Sequence, residues 1–142
     1  MRASLRQIVF LLSVAFLPGV VQALYYRDKI SWQTPVAASE MVTEAQAREW
    51  GANVIWVDAR PEEEFEREHI PGAVLLNEDR WNELLPQMLA VWSPEKRVVV
   101  YCGSESCGSS REVARKLRQQ AQLGNVFVLE GGWEGWRGGT ER

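Results

Sequence analysis

Cys102 ends a run of β-branched and aromatic residues, Val98, Val99, Val100 and Tyr101, and opens a stretch rich in glycine and serine: Gly103, Ser104, Glu105, Ser106, Cys107, Gly108, Ser109 and Ser110, with Arg111 next. A helical pattern follows at once. A strand that passes through such a loop into a helix aims backbone N–H groups and the positive helix end at one point, where they favour an anion. A thiol at that point is expected to be partly thiolate near neutral pH, and so nucleophilic. The plainer alternative is a core cysteine, because this residue is among those most often buried.

Cys107 widens the choice. A Cys102–Cys107 disulfide would close a very small ring, would constrain the unfolded chain little, and would belong to redox chemistry with Cys107 as the resolving thiol. Two cysteines and the single histidine, His69, fall short of the four ligands of a structural zinc site, so no metal is expected, and no cofactor either.

The elements that must position Cys102 can be read from the same chain. Thr43 and Gln46 have the form of a capping box, which predicts a short helix to about Trp50 with Gly51 as its stop. Val54 to Val57 is a continuous apolar run of strand length, with Asp58, Ala59 and Arg60 at its end. Pro61 at a first helical position opens an acidic turn through Glu62, Glu63, Glu64 and Phe65. The stretch from His69 to Ala73 reads as a turn into a short strand, Val74 to Leu76. Trp81, Leu84, Leu85 and Met88 recur at helical spacing within residues 80–90, where Pro86 predicts a break or a late start. Ser110 is placed to cap a helix carrying Val113, Ala114 and Leu117, ended by Gly124. Residues 125–129 form a last strand, followed by Gly131, Gly132, Trp133 and a short terminal turn, and Ile30 to Trp32 is a candidate strand near the N-terminus. Strands alternating with helices imply a mainly parallel sheet with helices on both faces, and such sheets bind ligands at the carboxyl ends of their strands. Asp58, Arg60 and Cys102 should therefore converge on one edge.

The N-terminus carries Arg2 and Arg6, an apolar run from Ile8 to Leu17, the breaker pair Pro18-Gly19, and small residues at Val21 and Ala23. These are the zones of a secretory signal over residues 1–23, with cleavage after Ala23 and export to the periplasm or outside the cell. The alternative is an uncleaved anchor over residues 8–26, the only reading in which a membrane is a partner. A linker over 24–35, one domain over 36–138 and a tail over 139–142 complete the expected organisation. Loss of Arg2 and Arg6 takes the formal charge from −3 to about −5, and no basic stripe remains, so nucleic acid is not an expected partner.

Four short motifs in this order resemble the rhodanese-like domain family over about residues 36–136. They are Val57-Asp58-Ala59-Arg60 with Glu64 and Phe65 downstream, His69-Ile70-Pro71-Gly72-Ala73, Tyr101-Cys102 before a loop and helix, and Leu129-Glu130-Gly131-Gly132-Trp133. The resemblance implies an α/β fold, with a mainly parallel central sheet flanked by helices on both faces. It also implies a sulfurtransferase whose loop cysteine holds a sulfane sulfur as a persulfide. A small sulfur donor and a thiol or cyanide acceptor are then the partners, with a redox or sulfur-carrier protein as a further candidate. Cys102 matches that cysteine, Gly103 to Ser109 the loop around it, and Ser110 the helix start. Asp58 and Arg60 match a pair read here as support for the strand end, and His69 a residue holding a bend by hydrogen bonds. Trp133 and Trp136 are read as core or lid packing.

The loop also departs from the family. It is about two residues longer than the commonest pattern and carries Glu105 and Cys107 where a basic residue is often found. A negative charge opposes both thiolate formation and an anionic donor such as thiosulfate, although Arg111 could offset Glu105. Phosphatases with a cysteine nucleophile place an arginine six positions after it, and Gly108 here supplies no such clamp. Beside sulfur transfer, two functions stay open: thiol–disulfide exchange through Cys102 and Cys107, and a binding module without catalysis.

Overall fold

The computed structural model describes residues 37–104 and 108–140, together with Gln7 alone. The expected signal or anchor, the linker, the candidate strand at Ile30 to Trp32, and Glu105, Ser106 and Cys107 lie outside the described residues. Five strands, β1 (Met41–Val42), β2 (Val54–Asp58), β3 (Val74–Leu75), β4 (Arg97–Tyr101) and β5 (Val126–Leu129), form one sheet in the order β1-β5-β4-β2-β3. Every pairing is parallel. The helices are α1 (Glu44–Glu49), α2 (Glu62–Arg67), α3 (Trp81–Val91), α4 (Ser109–Gln119) and α5 (Gly132–Thr140).

The strands are the apolar runs of the sequence because both faces of the sheet are covered. Val98, Val99, Val100 and Tyr101 have no exposed surface, so no residue of β4 after Arg97 faces water. Face one holds Ile55, Val57, Val98, Val100, Val126 and Val128, packed by α3 through Trp81, Leu84 and Met88 and by α4 through Val113, Ala114 and Leu117. Face two holds Val99, Tyr101 and Leu129 with Ala47 of α1, and Trp133 and Trp136 of α5 pack against it. Each fully buried aliphatic side chain contributes on the order of 2 kcal/mol, which makes β4 the best-anchored strand.

Local rules account for most boundaries. The Thr43 hydroxyl accepts from the Gln46 N–H at 3.3 Å while the Gln46 side chain accepts from the Thr43 N–H at 3.1 Å, a complete capping box at the start of α1. At the turn before β3 the Ala73 N–H donates to the Ile70 carbonyl at 2.9 Å, and Gly72 takes φ +80 between them. That is a turn with proline second and a left-handed glycine third, the type II pattern.

Four expectations need correction. Pro61 is the cap before α2 and not its first helical residue. Pro86 neither breaks nor delays α3, which runs from Trp81 to Val91. The backbone bond it cannot make would go to Asn82, which is exposed so that water can take its place, while Trp81, Leu84 and Met88 hold the opposite side in the core. The left-handed residue after α4 is Gln122, at φ +56, and Gly124 lies two residues beyond. The expected terminal turn is the nine-residue helix α5, held because its two tryptophans pack on face two.

Candidate active site

From β2 the chain moves outward to β3, then returns across β2 to β4 and continues the other way to β5. The direction of winding therefore reverses between β2 and β4, and a crevice opens at the carboxyl ends of those two strands. Asp58 is register partner of Tyr101 there, and Cys102 is the next residue. The Ala59 N–H donates to the Tyr101 carbonyl at 2.8 Å, so the two strand ends stay paired up to the cysteine.

Side chains alternate along a strand, so Cys102 faces the side opposite to Tyr101. Cys102 is 1 % exposed and belongs to the face-one core. Its Sγ lies 3.3 Å from the Ser104 carbonyl, to which the thiol donates, and 3.3 Å from the Ser110 hydroxyl. The carbonyl favours the protonated sulfur, whereas the hydroxyl can rotate to donate once the proton leaves.

Ser110 was expected to cap α4, and here the structure differs. The cap is Gly108, whose backbone is already helical at φ −78 and ψ −23, and Ser110 is the second residue of the helix. A capping hydroxyl needs an extended backbone, so the buried Ser110 side chain is released to meet the sulfur. Gly103 and Ser104 form the described start of the loop, and Ser109 and the half-exposed Arg111 lie in the first turn of α4.

Asp58 and Arg60 sit at the same edge but on face two. Asp58 is fully buried and Arg60 5 % exposed. The guanidinium meets the carboxylate at 2.7 Å (Nη2) and 3.0 Å (Nε), Nη2 also donates to the Glu68 carbonyl at 2.7 Å, and the Arg60 N–H reaches the same carboxylate at 2.9 Å. Burial disfavours the guanidinium charge, and the Asp58 hydrogen bond and charge more than offset that, so the pKa of Arg60 stands above its ordinary value. The pair braces the β2 end, the start of α2 through Glu64 at 3.6 Å, and the bend after α2. His69 belongs to that bend, with Nδ1–H donating to the Phe65 carbonyl at 2.8 Å and its ring stacked 4.0 Å from that of Phe65.

A sequence profile of the Rhodanese-like domain matches residues 41–138. The chain belongs to the rhodanese-like domain family. No curated protein matches it. Among solved structures, the BH2092 protein of Bacillus halodurans is 27% identical, with a TM-score of 0.56 over 87% of this chain and 82% of that one. A rhodanese-related protein of Thermoplasma volcanium is 19% identical, with a TM-score of 0.52 over 70% of this chain and 92% of that one. A protein of Lactobacillus plantarum is 17% identical, with a TM-score of 0.55 over 87% and 94%. The last two share the fold.

In this rhodanese-like domain the first turn of α5 reaches the cysteine from behind, which the sequence reading missed. The Trp133 N–H donates to the Cys102 carbonyl at 2.7 Å and the Glu134 N–H to the Gly103 carbonyl at 3.2 Å. Gly132, at φ +56, makes the approach feasible, since a Cβ there would collide with the Cys102 carbonyl oxygen. The signal is the glycine pair between a strand and a tryptophan, which the sequence offers as part of a family motif with Trp133 as core or lid packing. The Trp133 ring lies 4.8 Å from the Arg60 guanidinium and 6.4 Å from the Tyr101 ring.

Proposed function

We propose that this protein is a sulfurtransferase that carries sulfane sulfur on Cys102. The observation that carries the reading is the position of Sγ at the end of the central strand β4, in the crevice beside β2, within 3.3 Å of a hydroxyl in the first turn of α4. Membership of the rhodanese-like family supports it. In the first half-reaction the Cys102 thiolate attacks the outer sulfur of a donor. The donor's S–S bond breaks, its remaining part leaves with the bonding electron pair, and a new S–S bond forms on Sγ. In the second, a thiol or cyanide attacks the terminal sulfur and Cys102 leaves as thiolate. Two displacements at sulfur replace one direct transfer, and neither needs an external oxidant or reductant. The Ser110 hydroxyl is placed to donate to the negative sulfur in both.

The test is steady-state transfer from a sulfane donor to cyanide, read as thiocyanate. Parallel double-reciprocal lines and complete loss in Cys102→Ser are expected. Activity retained in Cys102→Ser would refute Cys102 as the carrier, and no transfer by the unaltered protein would leave a binding module on a shared fold. Loss in Cys107→Ser as well as in Cys102→Ser would instead favour a two-cysteine exchange cycle.

A further inference from the structure

The contact between α5 and the Cys102 backbone has a consequence for the sulfur. A trans peptide is planar, with its C=O and N–H pointing in opposite directions. Because the Cys102 carbonyl is fixed by the Trp133 N–H, the N–H of Gly103 in the same peptide plane is turned away from α5. The second bond, from the Glu134 N–H to the Gly103 carbonyl, holds the next peptide as well. The amides of the second and third residues of α5 are thus spent on the carbonyls of Cys102 and Gly103, at the start of the loop.

Trp136, against Trp56 and Arg48, holds the middle of α5, and what fixes its first turn is the Trp133 ring. It rests on the Arg60 guanidinium, and that group is immobilised by Asp58 and by the Glu68 carbonyl. A guanidinium under an indole face is an attractive pairing that strengthens when both partners leave water. We infer that Trp133, seated on Arg60, is a positioning residue for Cys102: through the α5 amides it fixes the peptide planes at Cys102 and Gly103 and so holds Sγ beside the Ser110 hydroxyl. The pair on face two and the thiol on face one are then parts of one device, although they do not touch. This deepens the proposed sulfur transfer and rests on Cys102 being its nucleophile.

The test needs no sulfur donor, so its outcome is separable from that of the transfer reading. Alkylation of Cys102 by iodoacetamide, followed by peptide mass mapping across pH, gives a midpoint that reports thiolate stabilisation and a plateau that reports access. Trp133→Leu keeps an apolar side chain without an aromatic face, whereas Trp133→Phe keeps the face. The midpoint is expected to move up by about one pH unit in Trp133→Leu, a tenfold loss of thiolate below the midpoint, and by no more than a few tenths in Trp133→Phe. An unmoved midpoint in Trp133→Leu, or an equal shift in Trp133→Phe, overturns the inference. Should Trp133→Leu not fold, Gly132→Ala decides. Its Cβ pushes the α5 turn off the Cys102 carbonyl and should produce the same upward shift, and an unmoved midpoint there overturns the inference equally.

Discussion

Replacing Asp58 by asparagine leaves the shape of the strand end almost unchanged and removes one charge from a buried pair. Asp58 is fully buried and Arg60 5 % exposed, so the guanidinium would keep its charge with the Glu68 carbonyl and the exposed Glu64 carboxylate, at 3.6 Å, as its remaining partners. Asparagine can still accept from the Arg60 backbone N–H, but its amide turns a donor toward the guanidinium where the carboxylate now accepts at 2.7 and 3.0 Å. Breaking a buried pair from one side costs about 3–5 kcal/mol, against a total stability of order 5–15 kcal/mol for a domain. Urea unfolding followed by circular dichroism should show a midpoint lower by at least 1 M at unchanged slope. Adding Arg60→Met removes the stranded charge and fills the space of its stem, and the double variant should recover much of the loss. A single variant destabilised by less than about 1 kcal/mol, or a double variant no better than the single, would refute the view that the pair is a desolvated brace.

Three further outcomes follow from the same geometry. Ser110→Ala removes the hydroxyl beside Sγ and should lower kcat/KM for sulfur transfer about three- to tenfold, with the urea midpoint little changed. Tyr101 is buried, and that burial, with Asp58 close by, raises its phenol pKa well above the ordinary 10.0. The stability that its neutral form confers is complete below about pH 10 and falls by about 1.4 kcal/mol per pH unit above it, because only the unfolded chain then releases the proton. Tyr101→Phe should flatten that alkaline limb. It should also cost about 1–3 kcal/mol at neutral pH, because the Ile70 N–H loses the acceptor it has at 3.1 Å. Pro86→Ala restores a helix bond to Asn82 and should raise the unfolding temperature by a few degrees, and a fall would show that α3 needs the proline.

The sheet was legible where burial on both faces wrote itself as unbroken apolar runs, as at Val54 to Val57 and Val98 to Tyr101. Two-residue strands carry no such pattern: Met41–Val42 was invisible because its pairing with Val128 and Leu129 is a long-range choice. The capping box at Thr43 was readable because its partners lie three residues apart, and the fate of Ser110 was not. Which of two serines near a helix start turns to the cap or to a sulfur depends on the backbone at Gly108. The convergence of Asp58, Arg60 and Cys102 on one edge followed from strand order, but their separation onto two faces depends on the register of Asp58 with Tyr101. The contact of Trp133 with Cys102 joins residues 31 apart in sequence and left only a glycine pair as its trace.

The most direct measurement is the mass of the reduced protein after brief exposure to inorganic polysulfide and removal of excess, with the modified peptide mapped. One added sulfur atom on Cys102, lost on addition of cyanide with release of an equal amount of thiocyanate, is the predicted result. A Cys102 that iodoacetamide alkylates but that takes up no sulfur would contradict the account.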